Sequence, residues 1–191
     1  MADFSFNQIA LNTIDLGATV RFYSEVFGYA NAGAQVGWGD VMKVQGLDSD
    51  GQTVVWWLVG KHPRIQFEIF RHTGPPPRKK PDHWSPADHG WVRYGVAVSD
   101  FDRVVHKLSS GGINSLAGQV ETNGNRRTAI RDPYAGIVIE IWENGPGLAV
   151  DWPFAANDAD PQILYVTSSV SDIGAARDYY TRVLGFETSP I

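Results

Sequence analysis

Residues 14–29, IDLGATVRFYSEVFGY, return at 171–186 as SDIGAARDYYTRVLGF, with six of sixteen positions identical: Asp, Gly, Ala, Tyr, Val and Gly. Self-similarity of this kind is the mark of a repeat architecture, in which each copy is one supersecondary unit that cannot bury its apolar face alone. Each copy opens on an aspartate suited to cap a helix, Asp15 or Asp172, and Gly28 sits where the first helix must end. Leu16, Val20, Tyr23 and Phe27 fall on one face at helical spacing. A strand precedes each copy: NQIALNTI (7–14) alternates, and ILYVTSSV (163–170) has the same character.

After the first helix the sequence predicts three strands. One lies in VGWGDVMKVQGL (36–47), one is TVVWWLVG (53–60) with a hairpin signal, Asp50-Gly51, just before it, and one is RIQFEIF (64–70). A segment with five prolines (72–90) reads as a linker or lid. The pattern then resumes. WVRYGVAV (91–98) is a strand, and Asp100 caps a helix through DRVVHKL that ends at Gly111-Gly112. Strands around INSLAGQVE and RRTAIRD join through Asn123-Gly124, and GIVIEIWE (136–143) is the last strand of this unit. The expected organisation is a complete domain over 1–145, built of strand-helix-strand-strand-strand modules at 7–71 and 91–143. A linker follows at 146–161, and the first strand and helix of a further module occupy 162–191.

Four strands share one parity. Ile9 and Leu11 oppose Gln8; Ile65, Phe67 and Ile69 oppose Gln66, Glu68 and Phe70. Val92, Tyr94, Val96 and Val98 oppose Trp91, Arg93, Gly95 and Ala97; Ile137, Ile139 and Ile141 oppose Val138, Glu140 and Trp142. One face is nearly pure aliphatic and should pack on helices. The other scatters polar groups among aromatic and small residues, as a pocket wall does. The fold class expected is α+β, with paired βαβββ modules forming a curved mixed sheet around a cavity.

Composition narrows the function classes. A net charge of -5 argues against nucleic acid or an anionic membrane as partner. With no cysteine there is no disulfide, thiolate ligand or thiol nucleophile. MADFSFNQ has neither a basic n-region nor an apolar run, and no apolar stretch approaches a membrane span. A soluble cytoplasmic protein with a small-molecule ligand is expected.

The motifs QIALNTIDLGATVRFYSEVFGY, FEIF, VRYGVAVSDFD, DPYAGIVIEIWE and the partial YVTSSVSDIGAARDYYTRVLGF, in this order, resemble the vicinal oxygen chelate superfamily. That superfamily includes glyoxalase I, extradiol dioxygenases, methylmalonyl-CoA epimerase and the fosfomycin and bleomycin resistance proteins. The resemblance covers nearly the whole chain apart from the two linkers. It implies metal-ligand positions on the first, fourth, fifth and eighth strands, which here hold Gln8, Glu68, Arg93 and Glu140. Three fit the Gln, Glu, His, Glu order of glyoxalase I; Arg93 departs from it. Arginine stays protonated and has no lone pair to donate, so it cannot be a ligand.

Two carboxylates in a cavity need a counter-charge, supplied by a divalent metal on Gln8, Glu68 and Glu140 or by Arg93 itself. The metal-free arrangement is the expectation. The five histidines lie at no ligand position, and the two-His, one-carboxylate triad of an iron dioxygenase is not offered there. His83 and His89 read as surface residues. Trp91, Trp142, Asn12 and Phe70 share the pocket parity and are expected to contact substrate, together with either Trp56 or Trp57.

Two functions follow. One is a lyase- or isomerase-type enzyme on a small oxygenated or aromatic metabolite, with Glu68 or Glu140 as base and Arg93 stabilising an oxyanion. The other is a non-catalytic, drug-sequestering binding protein. The lone third strand and helix leave an open edge and an apolar face, so a homodimer or the remainder of a longer two-domain chain is expected to cover them.

Overall fold

The computed structural model describes residues 7–62, 66–145, 148 and 160–188. Ile65 and most of the 146–161 linker lie outside these. In chain order the elements are β1 Gln8–Asn12, α1 Leu16–Phe22, β2 Ala30–Trp38, α2 Val41–Val44, β3 Gln52–Val59 and β4 Gln66–His72. Then come β5 Gly90–Val98, α3 Phe101–Ser110, β6 Ser115–Thr122, β7 Asn125–Arg131, β8 Val138–Glu143, β9 Gln162–Ser169 and α4 Ile173–Asp178.

The fold is α+β with two mixed sheets, ordered β1-β4-β3-β2 and β6-β7-β8-β5-β9. In each, the strand that opens the module runs parallel to the strand that closes it, Ile9 beside Phe67 and Tyr94 beside Ile139. Parallel neighbours need a long crossover, and α1 and α3 lie within those crossovers. Asn123 (φ 51°) and Gly124 (φ 76°) join β6 to β7 with both central residues left-handed, as a two-residue hairpin requires.

The second strand is displaced from the sequence expectation. The strand is 30–38, and Val41–Val44 forms a helical turn after Gly39 reverses the chain at φ 73°. Its alanines and glycines have weak β propensity, so tertiary pairing with β3 decides the strand. Asp50-Gly51 therefore closes a turn at the end of a long connection, Gly51 N donating to Asp48 O at 3.0 Å, and joins no hairpin.

The aliphatic parity is the buried one. Ile9, Leu11, Phe67, Ile69, Tyr94, Val96, Ile139 and Ile141 share one core with Phe22, Tyr23 and Phe27 of the first helical segment and Phe101, Val104 and Leu108 of α3. Phe67 stands 5.0 Å from the Tyr23 ring and 5.1 Å from that of Tyr94, so the two modules meet in one aromatic cluster. The Tyr94 hydroxyl donates to that of Tyr23 (3.0 Å), which donates to Asp132 Oδ2 at 2.6 Å. The other oxygen of Asp132 accepts from the amides of Tyr134 and Ala135 at 2.7 and 2.8 Å. A carboxyl only 1% exposed needs such partners to be tolerated.

The repeated segment has the same local form twice. Asp15 accepts from Ala18 N at 3.0 Å and Asp172 from Ala175 N at 2.9 Å. Both helices continue through a π-helical turn, Tyr23–Phe27 and Tyr179–Val183, toward a glycine at positive φ. Their surroundings differ. The first copy buries Phe22, Tyr23 and Phe27, whereas α4 and the π-helical turn after it bury no residue and leave Ile173, Tyr179 and Val183 exposed.

β9 joins the second sheet antiparallel to β5. Two glycines permit it. A Cβ on Gly95 would lie 2.5 Å from the Tyr165 ring, and one on Gly60 would lie 2.2 Å from the Pro161 carbonyl, which accepts from Lys61 N at 2.8 Å. β9 thus starts on the end of the first sheet and runs along the second. Among the described residues no helix is long and apolar enough to cross a membrane.

Candidate functional site

Residues of the polar parity line two cavities that share Ala10, and the smaller also takes in Ile9, Leu11, Tyr94 and Ile137 of the apolar parity. The larger, about 490 Å³, lies over the first sheet and is lined by Asn12, Glu68, Phe70 and His72, with Pro75, Pro76, Pro77 and Arg78 of the Pro-rich segment across it. The smaller, about 270 Å³, opens where β1 faces β5 and β9; Gln8, Trp91, Arg93, Tyr94 and Val166 line it. The Pro-rich segment therefore acts as a strap. Its imino acids cover one cavity, and farther along Lys80 lies against Gly136 and 4.5 Å over Trp84.

The residues at the four ligand positions divide between these cavities. Gln8 and Arg93 line the smaller and Glu68 the larger. Glu140 is joined to Arg93, whose Nη1 donates to Oε1 at 2.9 Å while Nε donates to Thr167 Oγ1 at 3.1 Å. The other Glu140 oxygen accepts from the Tyr165 hydroxyl, which also accepts from Trp142 Nε1 at 3.0 Å. Burial, and then the bond to Glu140, push the Tyr165 phenol up to about 12. Glu68 Oε1 accepts from Trp57 Nε1 at 3.0 Å, so Trp57 is the tryptophan of its pair on the pocket side; Trp56 donates to Asn31 instead.

Asn12 and Phe70 lie in the larger cavity with Glu68, and Trp91 lies in the smaller. Trp142 is 8% exposed, roofed by Arg127 at 4.9 Å. His72 shares a 2.7 Å hydrogen bond with Gln45, and desolvation holds its pKa below the usual value. His83 and His89 are exposed.

These side chains suit a divalent cation poorly. The guanidinium of Arg93 and the hydroxyl of Tyr165 occupy the Glu140 oxygens that a cation would need. Gln8 and Glu68, the other two positions of the expected ligand set, line different cavities.

Sequence reasoning did not identify Tyr165, Thr167, Arg127 or the strap's Arg78 as site residues. Tyr165 and Thr167 belong to the third copy's strand, which the module pattern sends to a different sheet. The spacing of Tyr165 and Thr167 was the one available signal for that pair, and a register shift between Gly95 and Val96 sends Ile163 to the opposite face, into the core.

The profile of the Glyoxalase/Bleomycin resistance protein/Dioxygenase superfamily matches residues 5–141, and the chain belongs to that superfamily. Among solved structures it is similar to a glyoxalase family protein from Bacillus cereus (22% identity, TM-score 0.65), covering 75% of this chain and 97% of that one. It is also similar to glyoxalase I from Zea mays (17%, 0.62), covering 94% of this chain and 54% of that one. A third likeness, to glyoxalase I of Leishmania major (16%, 0.51), covers 74% and 87% respectively. No curated protein matches in sequence. At these identities the structural likeness speaks for the fold alone.

Proposed function

We propose that the protein is a metal-independent enzyme of the lyase or isomerase kind, acting on a small carbonyl compound bound beneath the strap, with Glu68 as general base. The carrying observation is the setting of Glu68. It lines the larger cavity on a rigid central strand, is oriented by Trp57, and makes no ion pair among the described residues. Glu140, by contrast, is neutralised by Arg93 and engaged by Tyr165, so it positions Arg93 and does not transfer protons. Arg93, which lines the adjoining cavity, is the cation we assign to a developing oxyanion. Asn12 and Phe70 shape the bound ligand.

The test is exchange of the carbon-bound hydrogens next to the carbonyl of phenylpyruvate in D₂O, followed by NMR. Catalysed exchange that falls by about 10²-fold or more in Glu68→Gln, with an unchanged melting temperature, supports the base assignment. Exchange no faster than in buffer sinks it.

The same engagement of Glu140 favours a second reading, a binding protein without chemistry. In that case phenylpyruvate raises the melting temperature of the wild type without exchange.

The exposed Ile173, Tyr179 and Val183 support a further expectation, that a second copy or further chain covers α4. Multi-angle light scattering reads it directly. A dimeric mass that becomes monomeric in Tyr179→Glu/Val183→Glu supports a second copy; a monomer at every concentration removes the homodimer.

A further inference from the structure

The inward face of the second sheet is a grid set by its registers. Trp142 of β8 stands beside Arg127 of β7, Glu140 beside Ala129, and Val138 beside Arg131. Ala129 in turn faces Ala117 of β6. Two arginines four residues apart on one strand, each two from Ala129, therefore stand on either side of a floor made of two alanines.

Their surroundings leave the positive charge uncompensated. Glu140 is the one acid in these rows, and Arg93 already neutralises it. Neither Arg127 nor Arg131 forms an ion pair among the described residues, and Arg127 Nε is a buried donor with no hydrogen-bond partner. An unmade bond at a buried donor is costly, and natural proteins leave few.

Both guanidinium groups are held by aromatic rings, not by acids. Arg127 lies 4.9 Å over Trp142, and Arg131 lies 5.2 Å over Trp84 of the strap. Stacking fixes the plane of a guanidinium and leaves its N–H edge free for a planar oxyanion. Lys80, over the same Trp84, adds a third cation, and Arg78 and Lys79 precede it in a chain whose net charge is -5.

We infer that Arg127 and Arg131 form an oxyanion-binding site over the Ala117–Ala129 floor, closed on one side by Trp84 and Lys80 of the strap. Its ligand is a small molecule bearing a carboxylate or phosphate group, gripped by the edges of two stacked guanidinium planes. The site needs no chemistry in the Glu68 cavity and stands whether or not that reading holds.

Calorimetric titration of the wild type with phenyl phosphate, benzoate and phenol separates the two anions from each other and from a matched neutral compound. The expected result is saturable binding of at least one anion, none of phenol, and affinity at least about tenfold weaker in Arg127→Gln and in Arg131→Gln, since a charge-assisted hydrogen bond is lost in each. Should a variant fail to fold, the Nε–Hε NMR signals of the wild-type arginines decide: two that shift and saturate with the anion support the site. No saturable binding of either anion, equal binding of phenol, or undiminished binding by the folded variants would each overturn it.

Discussion

Asp132→Ala is expected to destabilise the protein by about 4 kcal/mol, read as a lower urea midpoint at unchanged slope. The substitution strands four groups together. Tyr23 loses its acceptor, and Tyr94, which donates to Tyr23, loses the end of its chain. The amides of Tyr134 and Ala135 lose theirs in a tight turn. All this lies where the two modules' cores meet, so the loss propagates into both sheets. Asp132→Asn retains the shape but replaces one oxygen by a donor, and a smaller loss of about 2 kcal/mol follows.

A pH series on the Asp132→Asn variant adds a second reading. Burial raises the Asp132 carboxyl above 3.8, and its hydrogen bonds counter this only in part. The folded state therefore holds the proton more tightly than the unfolded chain. The stability it confers is full below the unfolded value, near 3.8, and is lost as pH rises through the folded one. The advantage of wild type over the asparagine variant should thus widen as pH falls toward about 4, opposite to the behaviour of a salt-bridged aspartate. A difference that narrows on acidification would show the carboxyl to be held down, not up.

The second large effect belongs to Gly95→Val. Its new Cβ would meet the Tyr165 ring at 2.5 Å, and that ring cannot swing aside freely, because its hydroxyl holds Glu140 and Trp142. Either those bonds break or β9 leaves the edge of β5. Overpacking of this kind costs about 3 kcal/mol. Amide exchange localises the damage: Gln162–Ser169 should lose protection while β1 and β4 keep theirs. Tyr165→Ala removes the obstacle, so the double variant should be less destabilised than the sum of the single ones. Strict additivity would mean that the ring and residue 95 do not meet.

Much of the fold was legible because strand parity and turn chemistry are local. Ile9, Phe67, Tyr94 and Ile139 show their buried face through simple alternation. Asn123-Gly124 states its hairpin because few other pairs take two positive φ angles in succession. Asp15 and Asp172 announce their helices through the same local amide bond. The pocket parity also marked Glu68, Arg93 and Glu140 as members of the polar face.

The sequence by itself determined the module order, the apolar face, the caps and the absence of a lone pair on Arg93. Only the tertiary structure decided what those polar residues meet. Residues 93 and 140 are 47 apart in the chain, and 140 and 165 are 25 apart, yet one guanidinium and one phenol take both oxygens of the same carboxylate. Similarly, Arg127 lies over Trp142 and Arg131 over Trp84 because β7 runs beside β8 and the strap folds back on them. Such partnerships have no period in sequence. They arise from which sheet edges are adjacent, and that is settled by burying the common core, whose apolar contacts carry no record of which polar group will face which across the cleft.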